Sequence, residues 1–89
     1  MEMGSIEEKA REFDKALNDA EKKVQEAFSE SGRNLYFDDF VRVLGFSRPV
    51  VAQYIHALEK RGKITGDWEI IEEGDRRIAR KAYWLQEDV

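Results

Sequence analysis

The sequence predicts an α+β fold in a single domain, with three helices, the first one long, followed by a C-terminal β-hairpin. Through the first third of the chain, apolar residues recur at alternating spacings of four and three, as along one face of a helix. The middle third carries helix start and stop residues, Ser47 and Pro49 before Gly62. The last third is rich in Ile, Trp and Tyr around turn residues, which favours paired strands. At 89 residues there is room for one domain, residues 1–89.

The first helix is predicted from about Ile6 to Ser29, within a segment that ends near residue 31. Ser5 and Glu8 have the spacing of a capping box, in which each side chain accepts a hydrogen bond from a free amide of the first turn. The turn residues that follow, beginning at Gly32, end the helix. One apolar stripe runs along it, formed by Ile6, Ala10, Phe13, Leu17, Ala20, Val24, Ala27 and Phe28.

Two shorter helices are predicted in the middle of the chain. After a short extended piece, Leu35 to Phe37, Asp38 or Asp39 can cap a second helix, from about Asp38 to Leu44, which Gly45 ends. This helix is expected to bury Phe40, Val41 and Leu44. Ser47 and Pro49 then start a third helix, from about Arg48 to Arg61, with Gly62 as its stop. Its buried face is Val51, Tyr54, Ile55 and Leu58, which leaves Gln53, His56 and Lys60 within ~60° of one another on the other side.

The end of the chain predicts a β-hairpin. Ile64 to Ile71 and Ile78 to Leu85 are the two strands, and the tip lies between Glu73 and Arg80. Three aromatic residues of the hairpin, Trp68, Tyr83 and Trp84, have two interpretations. They form part of the core beneath the helices, or they stack on nucleic-acid bases.

Composition excludes several classes of function. With no cysteine the chain can form no disulfide, thiolate nucleophile or cysteine metal site, and its single histidine cannot make a His pair. We therefore expect no enzyme, no cofactor and no metal. No apolar run reaches ~20 residues and no signal peptide is evident, so we expect a cytoplasmic protein. Few Asn and Gln beside many charges are typical of a thermophilic source.

The net charge of −4 is unevenly distributed. Residues 1–32 contain 5 basic and 9 acidic residues, whereas residues 33–89 contain 10 of each. All the excess acid therefore lies in the N-terminal segment, residues 1–32, and the remainder of the chain is neutral.

The order of elements in residues 35–85 resembles the winged-helix family, a helix–turn–helix followed by a hairpin called the wing. The resemblance rests on Asp39-Phe40-Val41-Arg42-Val43-Leu44-Gly45-Phe46-Ser47-Arg48 and on Ala57-Leu58-Glu59-Lys60-Arg61-Gly62-Lys63-Ile64. It implies a fold in which helix 3 reads the major groove of duplex DNA and the wing contacts phosphates.

A second pattern is similar to the small winged-helix protein associated with dissimilatory sulfite reductase. It consists of Ala20-Glu21-Lys22-Lys23-Val24, Ser29, Ser31-Gly32, Tyr36-Phe37-Asp38-Asp39-Phe40 and Trp68. This resemblance implies an accessory protein that docks on the reductase through helix 3 or the wing. The chain differs in its longer first helix, longer wing and basic wing residues. A structural adaptor in a larger assembly is a further alternative.

Two basic patches lie where a DNA-binding winged helix needs them. Residues 47–63 hold four basic residues and one acidic residue, and residues 74–81 hold the same numbers. We expect a DNA-binding transcription regulator, in which Arg48, Gln53 and His56 contact bases. Acidic residues before the tip could instead pair with the wing cations in a solvated ladder. The expected nucleic-acid contacts are Arg48, Gln53, His56, Lys60, Lys63, Arg76, Arg77, Arg80 and Lys81.

The stripe of the first helix also predicts a homodimer. Three heptads of apolar residues can pair with a second copy, and many regulators address two half-sites as dimers. The expected interface is Ile6, Phe13, Leu17 and Val24. In the alternative, the second half of the helix packs on helices 2 and 3 of the same chain.

Overall fold

The computed structural model describes residues 2–86, with side chains from Glu8 onward. Three helices precede and flank a three-stranded antiparallel sheet. The helices are α1 (Glu2–Ser31), α2 (Phe37–Leu44) and α3 (Arg48–Lys60), and the strands are β1 (Leu35–Tyr36), β2 (Ile64–Glu73) and β3 (Arg76–Leu85). The α+β class, the three helices and the hairpin are therefore as the sequence predicts.

Helix α1 begins before the predicted capping box. Its first residue is Glu2, so Ser5 lies inside the helix. The prediction of a start at Ser5 is wrong, because a serine caps a helix only where its own backbone is non-helical, and Ser5 lies within the helix. The predicted end is close, since α1 reaches Ser31 and Gly32 follows with a positive φ of 61°.

The start of α2 differs by one residue from the prediction. The prediction that Asp38 or Asp39 caps the helix is wrong, because Tyr36 is the N-cap residue and both aspartates lie inside the first turn, Asp39 at the third helical position. There the Asp39 carboxylate accepts the Tyr36 amide at 2.9 Å, so it stabilises the helix start from inside the first turn. Gly45, at φ 72°, ends the helix as predicted. Phe40 and Leu44 are buried, but Val41 is only half-buried.

Helix α3 follows its predicted course. Ser47 takes an extended backbone before it, Pro49 stands in its first turn, and Arg61 follows its last residue, Lys60. The four residues expected on its inner face are all buried. Its position is fixed because this face and the inner faces of α1 and α2 form one core, in which Val24, Phe40, Val51, Leu58 and Ile64 are fully buried.

The hairpin is longer than the predicted strands. β2 and β3 each have ten residues, joined by the two-residue turn Gly74-Asp75, within the predicted tip. Gly74 has φ 59°, which suits the first position of a type II′ turn. The strand order is β1-β3-β2, and β1 pairs only with Ala82 and Tyr83.

Only the base of the hairpin reaches the core. Ile64, Ala82 and Tyr83 are buried, whereas residues 72–80 are all exposed. Tyr83 packs edge-on against Phe40, with ring centroids 5.3 Å apart. The prediction that the hairpin aromatics lie in the core holds for Tyr83 and fails for Trp68 and Trp84, which are 66% and 38% exposed. Beyond its base, the hairpin has no helix beneath it.

Candidate nucleic-acid interface

The outward face of α3 carries no carboxylate. Gln53, His56 and Lys60 are all exposed, on the side of the helix opposite the buried Val51 and Leu58. Pro49 and Ala52 complete the exposed face. It therefore presents an amide, an imidazole and an ammonium group, while Glu59, the acidic residue of α3, lies half-buried at the margin of this face and pairs with Lys81 of the hairpin.

Arg48 points away from this face. Its guanidinium pairs with Asp38 at 2.7 Å and lies 4.8 Å from the centroid of the Phe37 ring. Both contacts are with the first turn of α2. Arg48 therefore lies apart from Gln53 and His56, although all three were predicted to contact bases.

The basic patch near the end of α3 is partly neutralised. Arg61 donates a hydrogen bond to Asn18 at 2.7 Å and lies 3.8 Å from Asp14 and 3.7 Å from Glu21, all on α1. Lys63 is half-buried at the start of the hairpin. Lys60 is the cation of this patch that stays exposed on the outward face.

The two strands of the hairpin have opposite charges. β2 contains four acidic residues and no basic residue, and β3 contains four basic residues and no acidic residue. Their register places Glu69 opposite Arg80 and Glu72 opposite Arg77. Ion pairs form at 3.9 Å and 3.5 Å respectively. The solvated ladder of ion pairs, which was the alternative to phosphate contacts by the wing, is therefore present for Arg77 and Arg80.

The remaining two hairpin cations differ in their surroundings. Lys81 pairs with Glu59 of α3 at 3.8 Å, which ties the hairpin to that helix. Arg76 stands opposite Glu73 near the tip, and no carboxylate among residues 8–86 forms an ion pair with it. Because the pairs at the tip are largely exposed, each stabilises the free protein by roughly 0–1 kcal/mol. Their cations remain accessible to a stronger anion.

A groove of about 460 Å³ lies between the hairpin and the first residues of α2 and α3. Four aromatic side chains line it, and we call it the hairpin groove: Tyr36, Phe37, Trp68 and Tyr83. Burial and the Glu59 carboxylate raise the pKa of the Tyr83 phenol above its usual 10.0, so the phenol stays neutral. The sequence did not point to Tyr36 and Phe37, because only the pairing of β1 with β3 brings them beside the hairpin.

Three cations also line the hairpin groove, and each lies over an aromatic ring. The Arg80 guanidinium is 3.5 Å from the Tyr36 centroid, and the Lys81 ammonium is 5.3 Å from the Tyr83 centroid. Arg48 is the third, over Phe37. The Tyr36 hydroxyl donates to Glu69, the ion-pair partner of Arg80. These contacts hold Arg80 in place at the rim of the groove.

A buried carboxylate fixes the junction of α1, β1 and α2. Asp39 is 7% exposed and accepts hydrogen bonds from the Tyr36 amide and from Arg33, and it pairs with Arg42. Burial alone would raise the pKa of Asp39, but the amide and the two guanidinium groups outweigh it. The pKa therefore lies below its usual 3.8. This cluster positions Tyr36, and through it the rim of the hairpin groove.

The residues expected at a dimer interface separate into three groups. Leu17 and Val24 are 3% and 1% exposed in the core of the single chain, so they present no surface to a second copy. This differs from the expectation because α2 and α3 cover the second half of the α1 stripe. Phe13 is 40% exposed and stacks on Tyr54 at 5.5 Å. The side chain of Ile6 lies outside the described residues.

Neither a metal site nor a membrane span is found in the part of the chain that the structure describes. No group of three His, Asp or Glu side chains there is arranged to hold a metal ion. No helix within residues 2–86 is long and apolar enough to cross a bilayer.

The described residues thus define a small α+β protein with a three-helix body and a projecting hairpin. Over 55 residues, which are 62% of the chain, it is 34% identical to an uncharacterized protein of Pyrococcus horikoshii. The chain spans 17% of the length of that relative. No protein-family model matches the chain. No solved structure matches it either.

Proposed function

We propose that this chain is a winged-helix protein that binds double-stranded DNA and regulates transcription. The observation that carries the proposal is the carboxylate-free outward face of α3, with Gln53, His56 and Lys60 exposed together. A helix that enters the major groove approaches phosphates on both sides, so an acidic residue on its outer face would oppose binding. Gln53 can bond an adenine edge through its amide, and Lys60 contacts a phosphate.

In this proposal the hairpin acts as the wing. Arg76, Arg77 and Arg80 lie on the projecting β3 strand and contact phosphates beside the groove that α3 occupies. Arg77 and Arg80 must exchange their exposed carboxylate partners for phosphate oxygens. This exchange costs little, because exposed ion pairs contribute only about 0–1 kcal/mol. Lys81 and Lys63, nearer the body, add positive potential at the base of the wing.

The charge distribution favours one orientation on DNA. The four excess acidic residues of the first 32 residues belong to the α1 segment, which packs on the inner side of α3. Phosphates repel that side and attract the neutral or basic outer side. A protein with an overall net charge of −4 can therefore still approach DNA with the correct face.

The test is fluorescence anisotropy of labelled duplex DNA at low and at physiological salt. We expect micromolar or tighter binding that weakens steeply with salt. Replacing both Arg76 and Arg77 with Ala should lower affinity on every sequence and flatten the logarithmic salt slope by about two units, because each phosphate contact contributes roughly 0.9. Replacing Lys22 and Lys23 of α1, both exposed, is the matched control and should leave the slope unchanged. An unchanged slope in the arginine variant contradicts the wing assignment.

Docking on a protein partner is the second candidate function. Three apolar side chains on the hairpin favour it, since Trp68, Ile70 and Ile78 are 66%, 69% and 41% exposed. Apolar exposure of this kind often marks a protein-binding surface. If the duplex does not bind even at low salt, a pull-down with dissimilatory sulfite reductase becomes the decisive experiment. Retention on the reductase, lost on replacing Trp68 and Ile70 with Thr, would establish the accessory role.

A further inference from the structure

The hairpin groove contains an aromatic surface that duplex binding by α3 does not use. Trp68 is 66% exposed, and no aromatic ring among the described side chains stacks on its indole. Lys81 stands directly opposite it on β3, so the indole and the ammonium group share one face of the hairpin. Burying an indole ring is favourable, so the packing of the fold does not explain why Trp68 is left exposed to water.

The cations of the groove lining can be shared with an anion. Arg48, Arg80 and Lys81 each pair with a carboxylate in the free protein, Asp38, Glu69 and Glu59 respectively, but these pairs are open to solvent and contribute only about 0–1 kcal/mol each, so a phosphate can displace the carboxylates. Arg48 is already oriented by stacking on Phe37, which lowers the entropy lost when it contacts a ligand. The lining thus combines an uncovered π-face with cations held at its margin.

A ligand that fits this combination carries both a flat aromatic ring and a negative charge. A paired base in a duplex does not fit, because its neighbours in the stack cover both of its faces. An unpaired nucleotide does fit, and a groove of about 460 Å³ lies within the range of small-ligand sites, ~300–1,000 Å³. An acidic peptide would satisfy the cations but would leave the indole face of Trp68 uncovered.

We propose that the hairpin groove binds an unpaired nucleotide adjoining the duplex held by α3, with the base stacked on Trp68 and its phosphates at Lys81 and Arg48. This inference rests on the proposed DNA-binding function. It assigns to the chain a preference for a junction between double-stranded and single-stranded DNA over a continuous duplex. Stacking supplies the preference without selecting a sequence, because every base has a π-face.

The experiment uses the full chain with Trp84→Phe, so that Trp68 is the single fluorescent tryptophan. Trp84 lies opposite Thr65, on the other face of the hairpin from Trp68. This protein is titrated with a blunt duplex and with oligothymidine alone. It is also titrated with two tailed forms of the same duplex, one with an oligothymidine tail at the 5′ end of one strand and one with the tail at the 3′ end. We expect a tail to quench Trp68 fluorescence and to tighten binding by about fivefold or more relative to the blunt duplex.

Two hairpin variants give the matched comparison. In the chain with both tryptophans, Trp68→Thr should abolish the gain from the tail and leave affinity for the blunt duplex unchanged. Ile70→Thr is the control, because Ile70 is 69% exposed on the same strand and face but lies outside the groove lining. Both positions are largely exposed, so the fold should tolerate both changes.

The outcomes separate the inference from the function on which it rests. If the blunt duplex binds and a tail neither tightens binding nor quenches Trp68, the groove inference is overturned and the DNA-binding proposal stands. If oligothymidine quenches Trp68 but no duplex binds, the groove binds single strands, but the duplex proposal and the junction preference that rests on it are both overturned. Absence of binding to every DNA at low salt overturns both. Quenching by a polyglutamate peptide but not by oligothymidine overturns the inference in favour of a protein ligand.

Discussion

Asp39 has a larger structural role than its position in a short helix suggests. Its carboxylate joins the Tyr36 amide to Arg33 and Arg42, and thereby fixes the angle between β1 and α2. We expect Asp39→Asn to lower the free energy of unfolding by ~1–3 kcal/mol near neutral pH, because charge-assisted hydrogen bonds are lost. Urea denaturation measures the change. Asp38→Asn is the control, since Asp38 forms only an exposed pair with Arg48 and should cost less than about 1 kcal/mol.

The effect of Asp39 should depend on pH in a defined direction. Its pKa is lowered in the folded state from 3.8, so its contribution is complete above that value and is lost as the pH falls through the folded pKa. The difference in stability between wild type and Asp39→Asn should therefore shrink between about pH 5 and pH 2. A difference that is constant across this range would show that the carboxylate charge is not what stabilises the junction.

Gly66 is required by the ring of Tyr83 on the neighbouring strand. A Cβ atom at this position would lie 2.7 Å and 2.8 Å from two carbons of that ring, which is buried against Phe40. We expect Gly66→Ala to destabilise the protein by ~1–3 kcal/mol, as overpacking does elsewhere. A double-mutant cycle with Tyr83→Leu, followed by thermal or urea unfolding, should show that the two changes together cost less than their sum. Strict additivity would contradict the predicted clash.

Residue periodicity predicted which side chains of α3 are buried, because a helix packed on one side imposes a period of 3.6. It could not predict that Arg48 turns toward Asp38 or that Asp39 is buried between two arginines. Both results depend on where separate elements meet. Leu17 and Val24 illustrate the same limit, since an apolar stripe is identical whether a second copy or the chain's own helices cover it.

At the scale of the element, the hairpin should behave as two parts. Its base, at Ile64 and Tyr83, lies in the core, whereas residues 72–80 are exposed on both faces. We expect the amides of Thr65 and Tyr83 to exchange with solvent at least about tenfold more slowly than those of Ile71 and Ile78, because the outer ladder can open without disturbing the core. Hydrogen exchange followed by NMR gives the comparison. Equal protection along the strands would mean that another molecule covers the tip.

Element boundaries were predictable where glycine or proline sets them. Gly45 and Gly62 end α2 and α3 with positive φ values of 72° and 73°, and Pro49 marks the start of α3. The start of α1 was wrongly predicted at Ser5, because a capping sequence acts only where the helix actually begins. The pairing of β1 with β3 could not be inferred from a two-residue segment. The hairpin groove depends on that pairing and was therefore missed as well.

At the scale of the whole molecule, the first half of α1 is the surface on which a dimer would form. Residues 8–15 are all exposed, and Phe13 is the large apolar side chain among them. We predict a homodimer in light scattering and its dissociation to monomer on Phe13→Glu. Phe46→Glu is the matched control, because Phe46 is also 40% exposed and stacks on Tyr54, at 5.1 Å. A wild-type protein that is monomeric at high concentration, or equal effects of both variants, would contradict the predicted interface.

The opposite charges of β2 and β3 have a consequence for aggregation. β2 is an edge strand, and the outer part of β3 is unpaired beyond Ala82, so both expose backbone groups that could extend the sheet. Two β2 edges would bring eight carboxylates together, four from each copy, and two β3 edges would do the same with their cations. Like charges oppose either pairing. The charges therefore oppose pairing of identical strands and leave the mixed pairing, a β2 edge of one copy on the β3 edge of another, as the route by which the exposed hairpin could extend its sheet.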